Sequence, residues 1–189
     1  MSEVQTPYEL RPSRPGDEPE LSRLWQKVFG DSPEFIAEFF ARIYRPGDAV
    51  LAIRDGVLVS AGYCLSGVRA GELRCSYIYS MATEPEFRSQ GAARAVGLEL
   101  LRLAFLRGDD LVATLPADAG LTKWYENALG MRRAFRKGGE GAEFPESFIA
   151  FSEFCGRHDP NTPKSLWAVR RDGGDVSPLS SLGWECVFD

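Results

Sequence analysis

The sequence has little of what several functional classes require. Among 189 residues there is one histidine, His158, and the four cysteines, Cys64, Cys75, Cys155 and Cys186, show no Cys-x-x-Cys spacing. Protein zinc sites draw on clustered Cys and His ligands, so no metal site is expected. Cys64 and Cys75 fall in strand-like runs, where a free cysteine packs as a small apolar residue, and sparse, unpatterned cysteine suits a reducing compartment. Positive charge is also in deficit. Lys and Arg number 22 against 27 Asp and Glu, for a formal charge of −5, and the basic residues are scattered. That excludes the basic footprint of a nucleic-acid binder. No apolar run reaches the ~20 residues that cross a bilayer. The opening MSEVQTPYEL lacks the charged-then-apolar pattern of a secretory leader. Internal repeats and low-complexity stretches are missing too. The expectation is a cytoplasmic protein with no metal, membrane or nucleic-acid partner.

What is present is the make-up of a globular domain: 44% hydrophobic and 26% charged residues, with enough chain to bury a sizeable core. One domain spanning 1–189 is expected. The chain is organised around Tyr77 to Gly108. This stretch reads as a buried strand, a short polar turn and a long helix. The turn, Arg88-Ser89-Gln90-Gly91-Ala92-Ala93, falls where the helix starts. Backbone N–H groups gathered at a helix N-terminus make an anion site, which suits the diphosphate of a nucleotide-like cofactor.

Along the chain, Tyr8 to Arg11 suits a short first strand, broken by Pro12, Pro15 and Gly16. Asp17 and Glu20 have capping-box spacing ahead of a helix with Leu21, Leu24, Trp25 and Val28 on one face. Gly30 ends it. Ser32-Pro33 opens a second helix with Ile36, Phe39, Phe40 and Ile43 inward, stopped by Pro46-Gly47. Ala49 to Arg54 and Val57 to Val68 are strands joined by Asp55-Gly56, a hairpin signal that needs positive φ. Ala70-Gly71 turns the chain into the next strand, Leu73 to Thr83, whose alternation puts Leu73, Cys75, Tyr77, Tyr79, Met81 and Thr83 on one face. The helix from Gly91 to Arg107 is apolar on most sides, so it is expected to be well buried. Gly108 stops it, and Leu111 to Leu115 is a buried strand. Strand, helix and strand in this order form a βαβ unit with parallel strands. A helix from about Gly120 to Leu129 and a strand from Met131 to Arg136 follow. In the tail, Gly138-Gly139-Glu140-Gly141 reads as a flexible turn, and Phe144 to Phe154 suits either helix or extended chain. Leu166 to Val169 and Trp184 to Phe188 are further strand candidates.

With the element order and the turn in hand, the sequence resembles the GNAT superfamily of N-acetyltransferases. The family's cofactor motif, [Gln/Arg]-x-x-Gly-x-[Gly/Ala], stands here as Arg88 to Ala93. Before it, Met81-Ala82-Thr83-Glu84-Pro85-Glu86-Phe87 matches the family's small-apolar triplet, proline and aromatic. After it, Trp124-Tyr125-Glu126-Asn127-Ala128-Leu129-Gly130-Met131 resembles the aromatic-Tyr-Glu…Gly signature. The likeness covers about residues 8–136, with 138–189 left to complete or extend the sheet. Pro116-Ala117-Asp118 stands where the family often has asparagine.

The resemblance implies an α/β GNAT fold, a mixed central sheet flanked by helices, and an enzyme that moves the acetyl group of acetyl-CoA to an amine by direct attack in a ternary complex. It implies that the N–H groups of Ser89, Gln90, Gly91, Ala92 and Ala93, next to Arg88, hold the diphosphate. Met81, Ala82 and Thr83 would then pair with the pantetheine arm like a false strand. Tyr125 is implied as the general acid that protonates the departing thiolate. Where some members of the family carry a glutamate on the central strand, this sequence has Tyr77, so no general base is identified. Tyr77 and Tyr79 either line the acceptor pocket or pack in the core. The chain's terminal carboxylate, at Asp189, is a further candidate base. Glu84 and Lys137 read as solvated, as does Lys123, and His158 as a loop residue. The missing glutamate leaves an alternative open, an acyl-CoA-binding sensor or scaffold without turnover. The acceptor, a small molecule or a peptide amine, is not fixed, although the acidic balance favours a cationic one. Relatives often form homodimers, and the aromatic tail suits that or covering the sheet.

Overall fold

In the computed structural model, which describes residues 7–156 and 159–188, the local turn signals work as the sequence dictates. Asp55 and Gly56 both take positive φ, 52° and 75°. They close the hairpin between β2, Ala49–Arg54, and β3, Val57–Ala70, so Ala70 is still strand and the turn falls at Gly71. Ser32 accepts a hydrogen bond from the Phe35 N–H and starts α2, Pro33–Arg42, with Pro33 in the first turn. The capping box at Asp17 does not form. Its carboxylate is taken by Arg11, at 2.7 and 2.9 Å, and by the Arg14 N–H, at 2.7 Å. A bidentate arginine outcompetes a helix-end N–H for the same oxygens, and α1, Glu18–Phe29, begins without a side-chain cap. Pro12 does not break β1, Glu9–Pro12, but ends it, opposite Val50.

The described residues fall into two compact units. The first takes in the chain up to Tyr63 together with Ser80–Leu100; the second takes in Cys64–Tyr79 together with the chain from Leu101 onward. The chain passes from one to the other inside β3, inside β4, Leu73–Thr83, and inside α3, Ala92–Leu106.

In the first unit, β1 pairs antiparallel with β2 and β2 with β3. The core there is aromatic: Trp25 of α1 lies 4.8 Å from Phe39 of α2 and 5.5 Å from Tyr63 of β3, centroid to centroid. Gly62 of β3 is a close-approach glycine. A Cβ there would meet Met81 Cγ at 2.9 Å and Leu100 Cδ1 at 3.2 Å. α3 buries Ala92, Ala95 and Val96 on this side, yet Leu98 is exposed, as is Leu106 at its far end. Its apolar surface therefore exceeds what its packing covers.

In the second unit, β4 runs parallel to β5, Leu111–Thr114, with Cys75 opposite Leu111 and Ile78 opposite Thr114. α4, Thr122–Leu129, follows and closes on Gly130 in the left-handed conformation. β6 is Arg132–Lys137, and β7, Ala142–Glu143, pairs with β3. The aromatic tail is the helix α5, Glu146–Cys155. β8, Ser165–Arg170, inserts between β5 and β6, antiparallel to both. Of the last strand candidate, Trp184 to Phe188, only Trp184 pairs, in the short strand β9, Gly183–Trp184, parallel to β6. The sheet order is β1-β2-β3-β4-β5-β8-β6-β9, a mixed sheet flanked by helices. The glycine turn at 138–141 is a tight junction: a Cβ on Gly183 would stand 2.3 Å from the Gly139 carbonyl carbon and oxygen.

Candidate functional site

In the first unit, β4 ends at Thr83 and a short 3-10 turn, Pro85–Phe87, leads into the Arg88–Gly91 loop and α3. Arg88, Ser89, Gln90 and Gly91 are all exposed. Ser89 has φ 61° and Gly91 φ 87°. Alternating left-handed residues turn successive N–H groups toward one side, the concavity called a nest. The first backbone bond of the helix is Ala95 N–H to the Gly91 carbonyl, at 3.0 Å. The N–H groups of Ala92, Ala93 and Arg94 precede it and sit at the helix's open, positive end. No atom lies within 4 Å of where a Gly91 Cβ would be, so the loop's outer side is open. Ala92 is buried at 1% exposure and turns its methyl inward.

The loop is held from several sides. The Gln90 carbonyl accepts the Tyr8 hydroxyl at 3.1 Å, its side-chain amide donates to the Glu86 carbonyl at 2.7 Å, and Arg54 donates to its Oε1 at 3.3 Å. Arg54 also lies over the Phe87 ring, 5.8 Å from the centroid. Of the three residues ahead of the turn, Ala82 has its carbonyl bonded by the Ser60 hydroxyl at 2.8 Å, and the Thr83 carbonyl accepts Arg88 Nε at 3.4 Å. Met81 packs at Gly62.

Glu84, expected in solvent, is buried. Arg23 and Lys27 of α1 reach its two oxygens, at 2.8 and 2.5 Å. Burial by itself would raise its carboxyl, but the Lys27 and Arg23 bonds outweigh it and hold Glu84 below the usual carboxylate range. The first helix thus clamps the start of the loop. Tyr8, Arg54, Arg23 and Lys27 were not visible as loop partners in the sequence, because nothing local marks a contact 36 to 82 residues away.

β4 carries a second irregularity. Ser80 has φ 49°, and its hydroxyl is buried with no hydrogen-bond partner. A left-handed residue inside a strand interrupts the two-residue alternation. The face shared by Leu73, Cys75, Tyr77 and Tyr79 therefore does not continue to Met81 and Thr83, contrary to the simple strand pattern.

In the second unit, Tyr77 and Tyr79 stack, centroids 6.2 Å apart and rings 19° from parallel. Tyr77 is 2% exposed. It meets Trp184 at 5.4 Å and Phe188 at 5.8 Å, and Tyr79 meets Phe188 at 5.3 Å. The tail after β9 thus returns onto β4, and Phe148 and Phe151 of α5 close over Phe188. Tyr125 lies in the first turns of α4, buried, its ring edge-on to Trp124 at 5.0 Å. Burial raises its phenol, and the Thr114 hydroxyl beside it draws it back only in part. Tyr125 therefore keeps its proton at neutral pH, as a proton donor must. Thr114 itself donates to the Ile78 carbonyl at 3.1 Å, and Glu126 accepts from the Trp167 indole at 3.0 Å. These bonds tie α4 to β4, β5 and β8. Lys123 is exposed, while Lys137 is half-buried and bonded to Thr162 and to the Asp159 carbonyl, so it is not a solvated residue. His158 and Asp189 lie outside the described residues.

The cysteines are free. Burial pushes the Cys64 thiol up to about 12 and Cys186 to about 11, which keeps both unreactive. Among the described residues no group of three His, Cys, Asp or Glu side chains is placed to hold a metal ion, and no helix is long and apolar enough to cross a membrane.

Solved structures with the same fold include a GNAT family N-acetyltransferase from Escherichia coli in complex with CoA. It is 17% identical with a TM-score of 0.62, and the match covers 90% of this chain and 84% of that one. An N-acetylglutamate synthase from Neisseria gonorrhoeae, complexed with coenzyme A and N-acetyl-glutamate, matches at 17% identity and TM-score 0.59, over 86% of this chain. A GCN5-related N-acetyltransferase from Anabaena variabilis matches at 17% and 0.59, over 68% of this chain. This chain spans only about a third of the length of the last two, 35% and 32%. No curated protein matches the sequence. The model of the GNAT acetyltransferase domain matches residues 9–126, more than half of the chain. On that match, and on the sheet order and loop that agree with it, the chain belongs to the GNAT acetyltransferase family.

Proposed function

We propose that the protein transfers the acetyl group of acetyl-CoA to an amine acceptor by direct attack in a ternary complex. The observation that carries this is the loop at 88–93, where left-handed Ser89 and Gly91 open α3 and leave its first N–H groups outward. An array of N–H groups at a helix N-terminus suits a diphosphate. Met81, Ala82 and Thr83 are assigned to the pantetheine arm. The E. coli relative, solved with CoA, supports a CoA co-substrate. In the reaction the amine nitrogen bonds to the thioester carbonyl carbon, the C–S bond breaks, and the thiolate takes a proton from Tyr125. The ammonium formed loses its own proton to water or a base.

The test is release of free thiol from acetyl-CoA across a panel of amines. Turnover with at least one amine is expected. A second reading, an acyl-CoA sensor without turnover, is favoured by Tyr77, which stands buried among rings at the position where some members of the family carry a glutamate. Thermal stabilisation by acetyl-CoA with no thiol release across the panel would select it.

A further inference from the structure

The second unit holds a cavity of about 540 Å³, walled by Arg136, Lys137, Gly138, Lys164, Glu185 and Val187. Its volume is that of a small-molecule site. Three cations face one carboxylate there, in a chain whose formal charge is −5. The Arg136 and Lys164 side chains are exposed, on a backbone that strand pairing holds in place. Arg136 donates its N–H to the Leu182 carbonyl at 3.0 Å, Lys137 to the Lys164 carbonyl at 2.9 Å, and Gly138 to the Trp184 carbonyl at 2.7 Å. Lys137 Nζ is bonded to the Asp159 carbonyl and Thr162. Among the described residues, no carboxylate forms an ion pair with Arg136 or Lys164.

Register places this cavity. Thr114, the last residue of β5, pairs with Trp167 of β8, and Arg136 of β6 pairs with Ser165. β8 runs against both, so Lys164 lies three residues beyond the end of β5, about 10 Å at ~3.3 Å per residue. Arg136 and Lys137 stand at the carboxyl end of β6. In open α/β sheets ligands bind outside the carboxyl ends of the strands. Tyr125 is at the same end: its phenol neighbours the Thr114 hydroxyl, and the next residue, Glu126, is bonded to Trp167.

We propose that this cavity holds an anionic group of the acceptor, so that the substrate is a small amine that also carries a carboxylate or a phosphate. This deepens the acetyl-transfer reading and rests on it. It also revises the expectation of a cationic acceptor drawn from overall charge, because the local balance at the cavity is opposite to that of the chain.

The experiment has a turnover arm and a binding arm. In the first, thiol release is measured with matched amines: an amino acid against its amide, and an aminoalkyl phosphate against the amino alcohol. The anion-bearing member of at least one pair is expected to have the higher kcat/KM by about 10- to 100-fold, the worth of one or two charge-assisted hydrogen bonds. The better pair tells carboxylate from phosphate. Arg136→Ala with Lys164→Ala is expected to raise KM for that amine by a similar factor, leaving KM for acetyl-CoA and turnover of the neutral amine unchanged. Equal rates within both pairs, or equal losses on charged and neutral amines, would overturn the substrate assignment. In the second arm, glutarate and inorganic phosphate are titrated without acetyl-CoA. A saturable rise in Tm for one of them, lost in the double variant, is expected. Its absence overturns the anion site whatever the turnover results. The rise without thiol release from any amine leaves the anion site standing and overturns acetyl transfer instead.

Discussion

The loop at 88–93 and the cavity walled by Arg136, Lys137 and Lys164 are both assigned to anions, and they are built in opposite ways. The loop offers backbone: its N–H groups are aimed by two left-handed residues and a helix start, and its side chains are exposed. The cavity offers side chains, brought from β6 and from the entry to β8 by strand pairing. A backbone site constrains conformation and tolerates many side chains. A side-chain site constrains charge and tolerates many backbones. The donor, one conserved chemical object across a family of reactions, suits the first kind. An acceptor that differs between relatives suits the second.

That contrast can be broken in several ways. The largest expected effect is on chemistry: Tyr125→Phe is expected to lower kcat by ~10²–10⁴-fold, the usual range for a lost general acid, with affinity for acetyl-CoA unchanged. Because burial raises the Tyr125 phenol above its ordinary value of 10.0, a pH–rate profile is expected to show no loss from its ionisation below that pH. An unchanged kcat would make Tyr125 a packing residue.

Gly183→Ala places a methyl within 2.3 Å of the Gly139 backbone. Backbone cannot swing aside as a side chain can, so a loss of about 4 kcal/mol in denaturant titration is expected. Near-neutral behaviour would mean that the β6–β9 junction yields, and that the cavity is not a rigid site.

For the loop, Gly91→Glu combines a left-handed non-glycine, costing ~1–2 kcal/mol, with a negative charge facing the diphosphate. Calorimetry is expected to show about a 100-fold weaker affinity for CoA. Ser89→Gly, which keeps the same backbone conformation open, is expected to change affinity by less than about threefold. If the serine change is the more damaging, the loop acts through side chains and the contrast fails.

The smallest effect is expected at the clamp. Glu84→Gln removes two charged bonds from a buried carboxylate, but Arg23 and Lys27 are 43% and 44% exposed, so about 1–2 kcal/mol is expected. Glu84 is held below its ordinary 4.5 in the folded protein. Its contribution is therefore complete above that pH and is lost as pH falls through the lowered folded value. The gap between wild type and variant should close on acidification, and a gap that widens in acid would exclude the clamp.

Much of this was legible in the sequence where the signal is local. Asp55-Gly56, Ser32-Pro33 and the stop at Gly130 announce turns and caps through conformations that those residues favour, and the structure has them. In the loop at 88–93 the same holds for Gly91 alone, and the left-handed Ser89 was not legible. Asp17 misled because a local motif lost its oxygens to Arg11, a competitor that β1 brings alongside. Ser80 was illegible because serine carries no marker of positive φ. The cavity was illegible because Arg136, Lys164 and Glu185 meet only through the pairing of β6, β8 and β9, and each alone reads as a surface charge.

The position of β8 has a consequence for how the molecule comes into being. β5 and β6 are separated in sequence by α4 alone, yet they do not pair with each other; each waits for a strand that begins at Ser165. Until that strand arrives, both present open edges with unmet backbone groups, an invitation to pair with other chains. Sealing them requires contacts across a long stretch of sequence, which form slowly. A protease cut in the 159–163 loop, or a truncation before Ser165, should therefore not yield a smaller folded protein. It should yield an aggregation-prone fragment, and recovery of soluble protein after such a cut would report on how early β8 docks.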